Sequence, residues 1–211
     1  MIIIALVGMP KAGKGVISGA LEGRGYMPIS MSAILREQIL RDYPNDPNRR
    51  DDMFARAVEY RRQCGPGYLG ELSMSRVFEA SERGKDKFVI DGIRHPAELD
   101  IFLSSGAVPA GIICDYDKEL DYAIRKKRFM ENAHQRGMGF ESTRKFRSMN
   151  DREWSNEDPM APQIGACLSI VVNHRGRLFI NGEGKKITEL QNEVNQFASS
   201  LEGAQSHPER R

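Results

Sequence analysis

The stretch that most restricts how this chain can fold is its beginning, MIIIALVGMPKAGKGVI. Ile2–Val7 is a continuous apolar run, the pattern of a strand covered on both faces in a parallel sheet. It feeds Gly8-Met-Pro-Lys-Ala-Gly13-Lys14-Gly15, and a helix is expected from Gly15 to about Gly23. A G-x-x-x-x-G-K loop between strand and helix lets the backbone curl, so that successive N–H groups point at phosphate oxygens. The positive end of the following helix adds to that field, and Lys14 supplies a point charge for the terminal phosphates. The local expectation is a nucleoside triphosphate cradle built from Gly8, Lys11, Ala12, Gly13, Lys14, Gly15 and Val16.

Beyond the loop, apolar runs alternate with helical patterns. Strands are expected at Tyr26–Ile29, Lys87–Ile90, Ala110–Cys114, Leu168–Val172 and Leu178–Ile180. Helices are expected from Ser30 or Ser32 to about Asp42, at about 51–62, 69–83, Pro96–Ser104, 118–132, 141–154 and 187–201. Alternation of this kind makes an α/β domain with a parallel sheet, whose ligands gather at the carboxyl ends of the strands. Gly8, Asp91 and Asp115 all stand at such ends. One domain over residues 1–202 accounts for the length, with a polar, frayed tail from 203 to 211.

Charge and cysteine content narrow the class. A net charge of +2 does not by itself indicate a nucleic-acid partner. The basic charge is instead local, with nine Lys and Arg against three acids over residues 125–152. Cys64, Cys114 and Cys167 are far apart and odd in number, which fits neither a disulfide framework nor a zinc site. The opening apolar run is too short to span a bilayer. A cytoplasmic protein without a membrane partner is the expectation.

Asp91, at the tip of a buried strand beside the loop, suits a water-mediated magnesium contact or the orientation of an attacking oxygen. Arg94 follows it and suits a transferring or acceptor phosphate. Arg125 and Arg128 share a helix face, and with the basic segment around them read as a lid over the polyphosphate. Arg36, Arg61, Arg62 and Arg136 are further candidates for an acceptor phosphate, and Asn173 for the nucleotide's base. His95 and His134 have no partner at ligand spacing, and Trp154 reads as a packing residue rather than a base-stacking one. The position after Lys14 usually carries Ser or Thr, whose hydroxyl binds magnesium; Gly15 and Val16 stand here instead.

The assembled motifs resemble those of the nucleoside monophosphate kinase branch of the P-loop kinases. G-M-P-K-A-G-K-G is similar to the adenylate kinase loop G-x-P-G-x-G-K-G, with Lys11 in place of a glycine and Val16 in place of a threonine. M-S-A-I-L-R resembles the acceptor-helix motif ending at Arg36, and I-D-G-I-R resembles D-G-F-P-R at Asp91 and Arg94. Dephospho-coenzyme A kinases and phage deoxynucleotide kinases are similar too, including an F-x-x-x-x-D-R-E run from Phe146 to Glu153. Two C-terminal turns, V-V-N-H-R-G and L-F-I-N-G-E-G, resemble the family's base-proximal turn equally.

The resemblance, covering about residues 1–173, implies a P-loop three-layer sandwich with an acceptor-binding helical segment at about 30–85 and a basic lid at about 125–155. It implies ATP and Mg2+ as donor and cofactor, Lys14, Asp91, Arg94, Arg125 and Arg128 as catalytic residues, and a (deoxy)nucleoside monophosphate as acceptor. Dephospho-coenzyme A, a modified base or hydroxyl in DNA, and a non-kinase nucleotide-binding regulatory module remain alternatives.

Overall fold

A computed structural model describes residues 1–44, 53–135, 141–154 and 157–206. Among these, five parallel strands form one sheet in the order β2-β3-β1-β4-β5, with β1 Ile2–Gly8, β2 Met27–Ser30, β3 Lys87–Ile93, β4 Val108–Ile113 and β5 Arg177–Ile180. The α/β fold expected from the alternating pattern is present. β1 is central and buried along its whole length, which is why its sequence is uniformly apolar rather than alternating.

Two helical layers enclose the sheet. On one face α2 (Met31–Asp42), α3 (Met53–Cys64), α4 (Tyr68–Glu82), α5 (Pro96–Ser104) and α8 (Ile164–Asn173) share a core with Ile3, Ala5, Val7 and Met9. On the other, α1 (Lys14–Glu22) and α9 (Ile187–Ser206) pack over Ile2, Ile4, Leu6, Ala12 and Phe179. Adjacent β1 residues therefore serve opposite cores, as the two-residue repeat of a strand requires. α6 (Lys118–Gln135) and α7 (Glu141–Trp154) pair beside the strand ends that carry the loop. No helix among the described residues is long and apolar enough to cross a membrane.

Local chemistry sets the boundaries. Ser30 caps α2 by accepting from the Ala33 amide at 3.3 Å. His95 caps α5, with Glu98 closing the reciprocal half of a capping box and Pro96 in the first turn. The expected strand at Leu168–Val172 is instead part of helix α8. Its buried residues Ile164, Cys167 and Val171 recur at helical spacing, and a short apolar run cannot by itself distinguish the two. α9 continues to Ser206, so residues 203–206 of the expected tail belong to it, and 207–211 lie outside the described residues.

Candidate functional site

The strand ends place the loop at the middle of the sheet's carboxyl edge. Gly8 is required by close approach, since a Cβ there would stand 2.6 Å from Ile112 Cγ2. Gly13 has φ +118°, and a Cβ would collide with the Asn181 side chain. A Cβ at Gly15 would meet no atom within 4 Å among the described residues. Lys11 adopts a left-handed backbone (φ 68°) where a glycine is usual, with its ammonium 5.6 Å from the Phe129 ring centroid.

Lys14 folds back over the loop and donates to the carbonyl oxygens of Gly8 at 2.7 Å and Met9 at 3.4 Å. Desolvation holds its ammonium below the usual lysine range; Asp91 and Glu153 oppose that shift, and Arg94 and Arg125 add to it. Four charged groups thus act on one lysine. Asp91 reaches this position through a bulge: β1 pairs Leu6 with Asp91 and Val7 with Ile93, leaving Gly92 (φ +102°) as the extra residue.

Glu153 is the site residue that sequence reasoning missed. It is 4% exposed, and its carboxylate pairs with Arg94 at 3.0 Å. Among the described residues, the second oxygen, Oε2, is buried without a partner, as is Asp91 Oδ1. Buried carboxylate oxygens rarely lack a hydrogen-bond donor, so two beside the glycine loop mark a place where a cationic group fits. The signal lay in the D-R-E run, whose spacing was visible but whose target was not.

The expected arginines separate sharply. Arg128 donates to the carbonyl oxygens of Ala12 (3.3 Å), Asn181 (2.7 Å) and Gly182 (3.2 Å), and no carboxylate pairs with it among the described residues. Arg125 is buried, held by Asp121 at 2.6 Å and by the Asn150 side-chain oxygen at 2.9 Å, with Nη1 unpartnered. Its charge is therefore already compensated. Arg61, expected at an acceptor phosphate, is instead 1% exposed and locked to Glu98 through Nε (3.0 Å) and Nη2 (2.8 Å). The other Glu98 oxygen accepts from the Arg94 and His95 amides at 3.0 and 3.1 Å, so Arg61 braces the exit of β3. Arg62 pairs with Asp158, while Arg36 is exposed on α2. Arg136 lies outside the described residues.

Asn173 requires correction. It ends α8, beside a turn whose Gly176 packs on Pro109 near the start of β4, at the opposite edge of the sheet from the loop. The residue in the expected place is Asn181, directly after β5, whose side-chain amide donates to Ala12 O at 2.7 Å. Of the two similar C-terminal turns, L-F-I-N-G-E-G reaches the cradle, because only a turn that follows a strand lies at the carboxyl edge. Val16 is packed against the α1 and α9 core and supplies no hydroxyl.

A cavity of about 580 Å3 opens on the Met9 side of the loop, lined by Ile113, Tyr116, Tyr122, Arg125, Trp154 and Leu168 among others.

No family model matches the chain. It is 33% identical over 102 residues to the UPF0200 protein of Methanothermobacter thermautotrophicus, covering 48% of each chain. It is 37% identical over 101 residues to the UPF0200 protein of Pyrococcus horikoshii, covering 47% of this chain and 52% of that one. The matches thus span about half the length of these curated relatives. Among solved structures, TT1252 from Thermus thermophilus has the same fold, with a TM-score of 0.50 over 95% of this chain and 97% of that chain at 14% identity.

Proposed function

We propose that the chain is a phosphotransferase that moves the γ-phosphoryl group of ATP to a nucleoside or deoxynucleoside monophosphate or a similar nucleotide. The observation that carries this reading is the convergence of Asp91, Arg94 and Glu153 on Lys14 at the mouth of the glycine loop. A passive nucleotide sensor has no need of two buried carboxylate oxygens facing its cradle.

In this reading the loop amides and Lys14 hold the β- and γ-phosphates, with the Lys14 ammonium leaving its contacts to the Gly8 and Met9 carbonyls for phosphate oxygens. Arg128 stabilises the charge that develops during transfer, since it carries no compensating carboxylate. Asp91 and Glu153 offer the oxygen donors that magnesium requires and take the place of the absent loop hydroxyl. Magnesium, when bound, supplies charge neutralisation at the phosphate oxygens. Arg94, held by Glu153 and still 40% exposed at its side chain, orients the acceptor phosphate, with the exposed Arg36 of α2 as a second candidate. Positioning and electrostatics supply most of the rate in this chemistry.

The test is ADP release from ATP and Mg2+ across a panel of ribo- and deoxyribonucleoside monophosphates, with dephospho-coenzyme A and duplex DNA as further arms. Release above the acceptor-free background with at least one monophosphate is expected. Release with only coenzyme precursor or DNA moves the acceptor assignment, and none with any acceptor overturns the reading.

A further inference from the structure

The loop addresses both faces of the sheet. Its first half, at Met9, belongs to the core shared with α8, while Ala12 belongs to the core beneath α1. Arg128, Asn181 and Gly182 gather on the Ala12 half. The cavity lies on the Met9 half, between the end of β4, the first turns of α6, the end of α7 and Leu168 of α8. In-line transfer needs donor and acceptor on opposite sides of the moving phosphoryl group. With the donor's tail on the Ala12 and Arg128 half, the Met9 half is left for the acceptor.

The chemistry of the walls says what part of an acceptor fits. A volume of about 580 Å3 is that of a small-molecule site. Met9, Ile113, Tyr116, Tyr122, Trp154 and Leu168 give it apolar and aromatic walls. Trp154 packs against Gly165, where a Cβ would stand 2.9 Å from the indole, and the Lys118 ammonium lies 5.6 Å from its ring centroid. Charged side chains at the cavity comprise Asp115, Glu119 and Asp121 against Lys118 and Arg125. That balance repels a phosphate. Arg125 contributes an N–H rather than a free charge, since Asp121 neutralises it and Asn150 fixes it, and its buried Nη1 has no partner among the described residues. An unsatisfied buried donor selects a ligand atom that accepts.

We propose that this cavity seats the acceptor's base, an uncharged planar heteroaromatic ring that packs among Tyr116, Tyr122 and Trp154 and accepts a hydrogen bond from Arg125. The inference rests on the phosphotransferase reading for the word acceptor, but the ring site itself does not. It enters from the α6–α7 side, away from the α2–α4 helices where the sequence pattern placed acceptor contacts. Trp154, which reads from sequence as a packing residue, becomes a wall of the site.

Trp154 is the chain's single tryptophan, so its emission reports on the cavity alone. The full chain is titrated with adenosine, guanosine, cytidine and thymidine, excited at the red edge of indole absorption, with and without saturating Mg-ATP. Saturable quenching by at least one nucleoside is expected, weakened fivefold or more in Tyr116→Ala, whose side chain is mostly exposed and not needed for folding. Leu168→Phe, which sets a larger side chain in the cavity wall, is expected to weaken the response while circular dichroism stays that of the parent. Mg-ATP should leave the nucleoside's affinity within a few-fold. No quenching by any nucleoside while calorimetry still detects Mg-ATP overturns the ring site and leaves the kinase reading intact. Competition by ATP overturns the assignment to the acceptor, because the cavity would then hold the donor's base. Nucleoside quenching in a chain that fails to bind Mg-ATP supports the ring site and removes the kinase reading.

Discussion

The two helical inserts around the sheet, α2–α4 and α6–α7, both present arginines at spacings that suit phosphate, yet they use them in opposite ways. In the first, Arg61 is consumed by a buried pair with Glu98 and Arg62 by Asp158, leaving Arg36 exposed. In the second, Arg125 and Arg128 both turn inward at the loop, one neutralised by Asp121 and the other donating to carbonyl oxygens and a thiol. Spacing tells which side chains share a face. Whether that face looks at a ligand or at a carboxylate of the same chain depends on a partner far away in sequence, as Glu98 is from Arg61.

The contrast can be broken most directly at Arg61. Arg61→Ala strands the fully buried Glu98 carboxylate, and unpaired buried charges of this kind cost about 3–5 kcal/mol. Urea unfolding should show that loss. An unchanged midpoint would mean that the pair is not structural and would return Arg61 to the acceptor site. Lys14→Ala is expected to lower turnover about a hundredfold or more, as loss of a transition-state contact does, with stability nearly unaltered; steady-state ADP release measures it. Near-normal turnover there would end the comparison, since neither insert would then flank a catalytic loop.

Asn181→Ala sharpens the second region by removing the amide that fixes Ala12 O. A KM for ATP raised about tenfold is expected, the order of one lost positioned hydrogen bond, while Asn173→Ala should leave it unchanged. A pH effect follows from Cys114, beneath the loop. Burial pushes its thiol up to about 11, Arg128 opposing. The folded state favours the neutral thiol, so this share of stability is fully present below pH 9 and is lost as pH rises toward 11. Cys114→Ala should flatten the stability profile in that window, read by denaturant titration at successive pH values. The smallest effect is at Lys11: Lys11→Gly relieves a left-handed backbone but loses the Phe129 contact, for a net change within about 1 kcal/mol in unfolding experiments.

Most of the scaffold was readable along the chain. β1 and its loop, the β3 exit at Asp91, and helices α5 and α7 stand where periodicity and caps put them. α8 was not, because its short, largely apolar stretch Leu168–Val172 satisfies a strand and a buried helix equally. The site divides along the same line. Lys14 and Asp91 lie on local motifs, whereas Glu153 and Asn181 acquire their roles only where α7 and the end of β5 come back to the loop. Trp154 shows this most plainly: nothing beside it in sequence says that its ring will wall a cavity with Met9 and Ile113.

What the amino-acid order determined alone was the glycine loop between β1 and α1, since the glycines, the lysine and the flanking strand and helix are contiguous and their geometry is local. The tertiary structure alone decided which arginines keep a free charge. That outcome rests on whether a carboxylate from another element comes within hydrogen-bond reach, and Coulomb energy depends on distance in space rather than on separation along the chain.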